Sequence, residues 1–301
     1  MAENSSRVTV YAAIAANLAI AITKFVAAAI GGSSALFSEG LHSIVDTGDG
    51  LLLLLGLHLS KRPPTKKHPY GHGGEVYFWS TVVAMSIFGM GGGVSIYEGI
   101  LHLEHPVAPT SPMLGFGVLA LAAVFEGISW LIALRGFRKV RRGRGVWETI
   151  QRSKDPTTFV VVLEDSAALL GIFVAAAGLA LAHWLHAPVF DAIASIVIGA
   201  LLVTVGIVLG RDTWSLLLGE SASVEVIESI RALAKAQPGV VDVRAPRTMH
   251  IGPEIVHVDI DVAVDPAASA VMVQRGIEAA VRDKHPYVRR VSIRFPDWSP
   301  E

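Results

Sequence analysis

Residues 39–59 read EGLHSIVDTGDGLLLLLGLHL. As one helix, at about 1.5 Å per residue, this stretch is long enough to cross a bilayer. Its second half is almost pure leucine, yet Glu39, His42, Asp46 and Asp49 stand in the first half. His42 and Asp46 are four residues apart, so on a helix they share one face, one turn apart. An imidazole and a carboxylate so placed can hold a cation, or they can hydrogen-bond to neighbouring helices. The rest of the chain decides between these readings.

Of the 301 residues, 52% are hydrophobic and only 17% are charged. A soluble domain carries nearer a quarter charged residues. Runs such as 11–30, 114–134 and 159–182 are too apolar for a solvated surface. The formal net charge of −1 gives no electrostatic footprint for nucleic acid. Cysteine is absent, which removes disulfides, thiolate ligands and thiol catalysis together. The first apolar segment, about 10–30, reads as a transmembrane helix and not as a cleavable signal.

Six spans are expected, at roughly 10–30, 35–59, 79–101, 113–135, 159–184 and 189–210. GGSS at 31–34 separates the first two, and KRPPTKKHPYGHGGE at 61–75 separates the second and third. Lys61, Arg62, Lys66 and Lys67 follow span two; Arg135, Arg138, Lys139, Arg141, Arg142 and Arg144 follow span four. The loops HLEHPVAPTSP and HWLHAP carry neither Lys nor Arg. Positive charge kept on the cytoplasmic side therefore puts both termini there.

After residue 212 the character changes. SVEVIESIRALAKAQPG reads as an amphipathic helix stopped by Pro238-Gly239. VVDVRAPRTM and IVHVDIDVAV alternate as half-buried strands, 267–284 repeats a helical stripe, and VRRVSIRF gives another strand. The expected class is an α-helical membrane protein, with six transmembrane helices over 1–212 and a cytoplasmic α+β domain over 213–301.

A charge at bilayer depth is costly, so each is a functional hypothesis. Glu164 and Asp165 join the span-two set from span five, with Lys24, Glu98, Glu126 and neutral Asn17 elsewhere. Two helices each giving a pair of ligands can close the tetrahedral geometry that Zn²⁺ prefers. Mn²⁺, Fe²⁺ and Co²⁺ accept the same residue types. Interhelical hydrogen bonds and ion pairs are the structural alternative, most of all for Lys24, Glu98 and Glu126 taken singly.

The stretches GSSALFSEGLHSIVDTGDGLLLLLG, HPYGHGGEVYFWS and EDSAALLG resemble those of the cation diffusion facilitator family of proton-coupled zinc and manganese exporters. PTTFVVVLEDSAALLG is most similar to the branch containing human zinc transporter 9. The resemblance covers essentially the whole chain and implies a ferredoxin-like, metallochaperone-like tail that dimerises the protein. It also implies a transport site of two residues four apart on span two and two more on span five. His42 and Asp46 match the first pair and Asp165 the later residue of the second, while the earlier position falls on Val161. Glu164, about 100° round the helix, is the candidate substitute, and water or Glu39 are the other ways to complete the shell. The family's second metal site matches His68, His72 and Glu75, for which a fixed loop anchored by Tyr70 and the glycines is the other reading. In the tail, His250, His257, Asp259 and Asp261 are available, but Arg294 stands where a ligand is expected; His257 and Asp259 share a strand face and could be ligands, with partly exposed strand polarity as the favoured reading.

The implied function is Zn²⁺ export from the cytoplasm in exchange for protons, by alternating access, in a homodimer within a lipid bilayer. The alternative is a non-transporting membrane sensor or scaffold, motivated by Val161. No His-Glu-x-x-His motif or nucleophile arrangement is present, so neither enzyme activity nor a resident cofactor is expected. A bacterial plasma membrane is the expected location.

Overall fold

The computed structural model describes the backbone of residues 2–141, 156–253 and 255–296, and the side chains of 17–138, 159–253 and 255–296. Its long helices are α1 (Ala2–Gly31), α2 (Ser34–Ser60), α3 (Glu75–Ser86), α4 (Val94–Glu104), α5 (Pro112–Arg141), α6 (Pro156–Trp184) and α7 (Val189–Leu218). A π-helical stretch, Ile87–Gly93, joins α3 to α4, so the two form one span, Glu75–Glu104. Among the described residues five helices are long and apolar enough to cross a membrane, and α1 adds the shorter apolar stretch Asn17–Gly31. The side chains of Lys139, Arg141, Arg142 and Arg144 lie outside the described residues.

The turn between α1 and α2 needs a left-handed residue, and Gly32 supplies it at φ +68°. The last span runs to Leu218, beyond the expected end near 210, because DTWSLLL continues the helix until Gly219 at φ +95° ends it.

Polar contacts fix which helix ends lie together. Ser33 and Ser34, at the start of α2, hydrogen-bond to Asp191 at the start of α7. The Thr110 amide and hydroxyl, ahead of α5, donate to the Gly31 and Ile30 carbonyls at 2.9 and 3.0 Å. The starts of α2, α5 and α7 therefore share one end with the close of α1 and α6. Every loop at that end lacks Lys and Arg. The α3–α4 span packs on α7 through glycines: a Cβ at Gly92 would lie 2.9 Å from the Gly199 carbonyl, and one at Gly199 would lie 2.8 Å from the Gly92 carbonyl. Only glycine permits that approach.

The C-terminal region contains α8 (Val224–Lys235), β1 (Val240–Val243), β2 (Arg247–Gly252), β3 (Ile255–Val264), α9 (Ala270–Lys284) and β4 (Val288–Arg294). The segment expected as one strand, VVDVRAPRTM, is two, broken at Ala245-Pro246, where proline has no amide to donate. Both pieces run antiparallel along β3, and β4 pairs parallel to it. Val256, Val258, Ile260 and Val262 alternate inward from β3 and meet Val273, Ile277 and Val281 of α9 and Ile230 of α8. Fully burying one such side chain contributes about 1.5–3 kcal/mol.

The chain divides into two compact units. One comprises Met1–Leu55, Trp79–Ile150 and Pro156–Asp212; the other comprises Gly56–Phe78, Gln151–Asp155 and Thr213–Glu301. The loop between spans two and three groups with the tail because Gly73 lies against Gly252 and Ile251, where a Cβ at Gly73 would be 2.8 Å from the Ile251 carbonyl oxygen.

Candidate functional site

Helix α2 carries its polar residues inward because its leucines occupy the lipid-facing side: Leu51, Leu54 and Leu55 are exposed while Glu39, His42, Ser43 and Asp49 are buried. His42 is 3% exposed, and among the described residues neither of its ring nitrogens has a hydrogen-bond partner. A neutral buried imidazole is normally satisfied on at least one side, so two open nitrogens are an unspent coordination capacity. Asp46, one turn on, is half-buried.

Helix α6 presents Glu164 and Asp165, both 4% exposed. Asp165 Oδ2 accepts a hydrogen bond from Ser129 of α5 at 3.0 Å, which fixes one of its oxygens. Beside it, Trp130 Nε1 donates to Ser166 Oγ at 2.9 Å, locking α5 to α6. Glu164 Oε1 has no partner among the described residues. Val161 packs on the apolar core and offers nothing to a cation.

The register of α2 against α6 places Glu164. The start of α2 and the close of α6 share one end, so the helices are antiparallel. Near that end a Cβ at Gly171 would collide with Glu39 Oε1, which makes Glu39 and Gly171 level. Seven residues along each helix, two turns and about 10 Å deeper, stand Asp46 and Glu164. Seven residues turn a helix through nearly two full circles, so Asp46 keeps the face of Glu39, and Glu164 keeps the face of Gly171. Asp46, Glu164 and Asp165 are near enough to one another to interact electrostatically, and Asp49 and Glu126 lie within the same field.

Sequence reasoning read Lys24 singly and missed its partner. Its ammonium is fully buried and donates to Glu39 Oε2 at 3.0 Å and Ser43 Oγ at 2.8 Å. It also missed Asp191, 1% exposed, whose carboxylate accepts from Ser33 Oγ at 2.6 Å and from the Ser34 amide at 2.6 Å. No spacing signal marks either pair, since their members come from different helices.

The second predicted group lies in the unit that contains the tail. His68, His72 and Glu75 line one cavity of about 390 Å³. The His68 and His72 rings are 4.7 Å apart, and His72 Nδ1 is 4.0 Å from Glu75 Oε1. The backbone there is a turn, with the Gly71 amide bonded to the His68 carbonyl, so the histidines meet through the turn and not on a helix. Tyr70 seats this loop on the tail: its ring meets His257 edge-on at 5.9 Å and lies 5.1 Å beneath the Arg290 guanidinium. In the tail, Asp261 accepts from Arg294 at 2.8 Å with Arg247 at 3.8 Å, and His257 Nε2 is 3.1 Å from Asp259. Among the described residues no three His, Asp or Glu side chains are gathered closely enough to form a closed metal shell. Asp46 of α2 interacts electrostatically with Glu164 and Asp165 of α6 without closing such a group.

Several long apolar helices around a buried imidazole and interacting carboxylates describe a membrane-protein fold with ionisable side chains inside its helices. Residues 10–218 match the family model described as the cation efflux transmembrane domain, and the chain belongs to that family. It is 36% identical to the proton-coupled zinc antiporter SLC30A9, mitochondrial, of Xenopus laevis, over 69% of this chain and 38% of that protein. It is 35% identical to the Homo sapiens SLC30A9 protein, over 72% of this chain and 39% of that one. The chain thus spans about two fifths of these relatives' length. It is also 25% identical to the manganese efflux system protein MneP of Bacillus subtilis (strain 168), over 77% of this chain and 75% of that protein. These likenesses put the chain near the SLC30A9 branch.

One expectation is corrected. The SLC30A9 relatives are named as mitochondrial, so the assignment to a bacterial plasma membrane does not stand. Loop charge reports which loops share a side of a membrane, and carries no information about which membrane it is.

Proposed function

We propose that this chain is a six-span, proton-coupled Zn²⁺ antiporter, with α1 as the first span, whose transport site is His42 and Asp46 of α2 with Asp165 and Glu164 of α6. The observation that carries this reading is the buried His42 ring, open at both nitrogens, one turn from Asp46, which itself interacts with Asp165 of the facing helix. Zn²⁺ suits one imidazole nitrogen and carboxylate oxygens in a tetrahedron. Mn²⁺, Fe²⁺ and Co²⁺ are the competing cargoes. In this reading Glu164, at the depth of Asp46, takes the place of the ligand missing at Val161, which favours transport over a non-transporting sensor.

In this mechanism metal enters from the side of the basic loops and displaces protons from the ligands. The helices then re-pack, and protons from the other side compete the ion off. Protonated imidazole and carboxyl groups cannot coordinate, so affinity falls as pH falls, and a proton gradient drives the exchange. The open ligand arrangement suits a site that must release its ion as readily as it takes it up. His68, His72 and Glu75 would offer a second station beside the loop. We read 1–212 as the transmembrane domain and 213–301 as a ferredoxin-like dimerisation domain, its two helices packed on a sheet being the supporting likeness.

The test is zinc uptake into proteoliposomes under an imposed pH gradient. His42→Ala and Asp46→Asn should each lower flux by about ten- to a hundredfold, the scale on which metal sites respond to lost partners, with thermal unfolding unchanged or slightly raised. Wild-type flux in both variants would remove the site assignment.

A further inference from the structure

The ammonium of Lys24 is 0% exposed and sits among three oxygens: Ser43 Oγ at 2.8 Å, Glu39 Oε2 at 3.0 Å and the Glu39 carbonyl at 3.4 Å. It fills a cation position with a cation that cannot leave. The second carboxylate oxygen of Glu39, Oε1, is buried and has no partner among the described residues. It points at Gly171, where any side chain would displace it. Glu39, His42 and Asp46 stand at i, i+3 and i+7, one continuous face of α2. A buried carboxylate with an open oxygen, one turn from the imidazole on the same face, could turn toward an ion held at His42 if Lys24 released it.

We propose that Lys24 is a positioning residue that keeps Glu39 out of the transported ion's coordination shell, and that it thereby sets the preference between Zn²⁺ and Mn²⁺. This rests on His42, Asp46 and Asp165 being the metal ligands. Zn²⁺ is content with four ligands, whereas Mn²⁺ is oxygen-seeking and favours six. A further carboxylate, able to give two oxygens, adds more to Mn²⁺ than to Zn²⁺. With Lys24 bound to Glu39, the site stays short of oxygens and favours Zn²⁺.

The experiment measures competition between Zn²⁺ and Mn²⁺ for the full-length protein in detergent, using the metals alone. Lys24→Met should shift the preference toward Mn²⁺ by about tenfold, the lower end of what outer partners contribute at metal sites. Lys24→Met with Glu39→Gln should return it to the wild-type value, and Lys24→Arg, which keeps the charge, should never leave that value. A loss of packing alone would weaken both metals together and would not be reversed by the second substitution. An unchanged preference in Lys24→Met overturns the proposal, as does a shift that survives Glu39→Gln. If Lys24→Met does not fold, Lys24→Gln repeats the comparison with a polar side chain. If both single variants fail while their Glu39→Gln doubles fold with wild-type preference, the pair is purely structural, and the proposal is equally overturned. Failure of the transport-site assignment has a different signature: His42→Ala and Asp46→Asn would then leave Zn²⁺ binding intact.

Discussion

Glu164 and Asp165 are adjacent in the chain but differ in what holds them. Asp165 has one oxygen tied to Ser129, while Glu164 keeps an open oxygen at the depth of Asp46. Ordinary spacing favours Val161 and Asp165 as the α6 pair, since four residues return to one face. Valine cannot bind, and the face that meets α2 is instead that of Gly171 and Glu164. Glu164→Gln should therefore reduce zinc flux as steeply as Asp165→Asn, about tenfold or more, in reconstituted vesicles. Flux that persists in Glu164→Gln with only altered thermal stability would make Glu164 a helix-packing residue. That His42 and Asp46 share one helix face was legible from spacing, and their candidacy as ligands came from the family resemblance. Glu164 could be preferred to Val161 only once the register of two helices was known.

At the level of elements, the start of α2 is capped from outside itself. Its first amides lack intrahelical partners, and Asp191 of α7 accepts from the Ser34 and Ala35 amides at 2.6 and 3.3 Å, as well as from both serine hydroxyls. A carboxylate there also complements the positive end of the helix dipole. Asp191→Ala would orphan these donors at a buried site and should cost about 1–3 kcal/mol, with Asp191→Asn intermediate because it keeps one acceptor oxygen. Thermal unfolding in detergent is the measurement, and an unchanged midpoint in Asp191→Ala would show that the clasp holds nothing. Because α2 carries His42 and Asp46, the clasp also fixes the level of the candidate site relative to α7.

At the scale of the whole molecule, the tail has its own core and its own titrating joint. His285 is 8% exposed and links α8 to the start of β4, with Ser229 Oγ at 2.9 Å from Nε2 and the Tyr287 hydroxyl at 3.0 Å from Nδ1. Burial, helped by Lys284, holds His285 below the ordinary histidine range. The folded state thus prefers the neutral ring. The associated stability is present above the unfolded value of about 6.5 and is lost as pH falls through the lower folded value. A fragment of residues 220–295 should fold by itself and sediment as a dimer at micromolar concentration. It should resist denaturant less well at about pH 5 than at about pH 8, with His285→Gln flattening the difference. A monomer in sedimentation would count against the tail as the dimer contact, and a pH-independent unfolding midpoint would count against His285 as the joint.

The amino-acid sequence alone determined the membrane class, most of the breaks between helices, the α+β character of the tail and the four-residue spacing of His42 and Asp46. Each of these depends on local composition or on a spacing within one element, which a chain carries wherever it folds. Even locally, Pro246 divided a strand that alternation had joined. Tertiary structure decided the partners: Lys24 with Glu39, Asp191 with the start of α2, Ser129 with Asp165, Tyr70 between His257 and Arg290, and the level of Glu164 against Asp46. These are meetings between helices or strands separated by many residues. Helix register and the close approach permitted by Gly171, Gly92 and Gly199 set them, and no single element's periodicity contains that information.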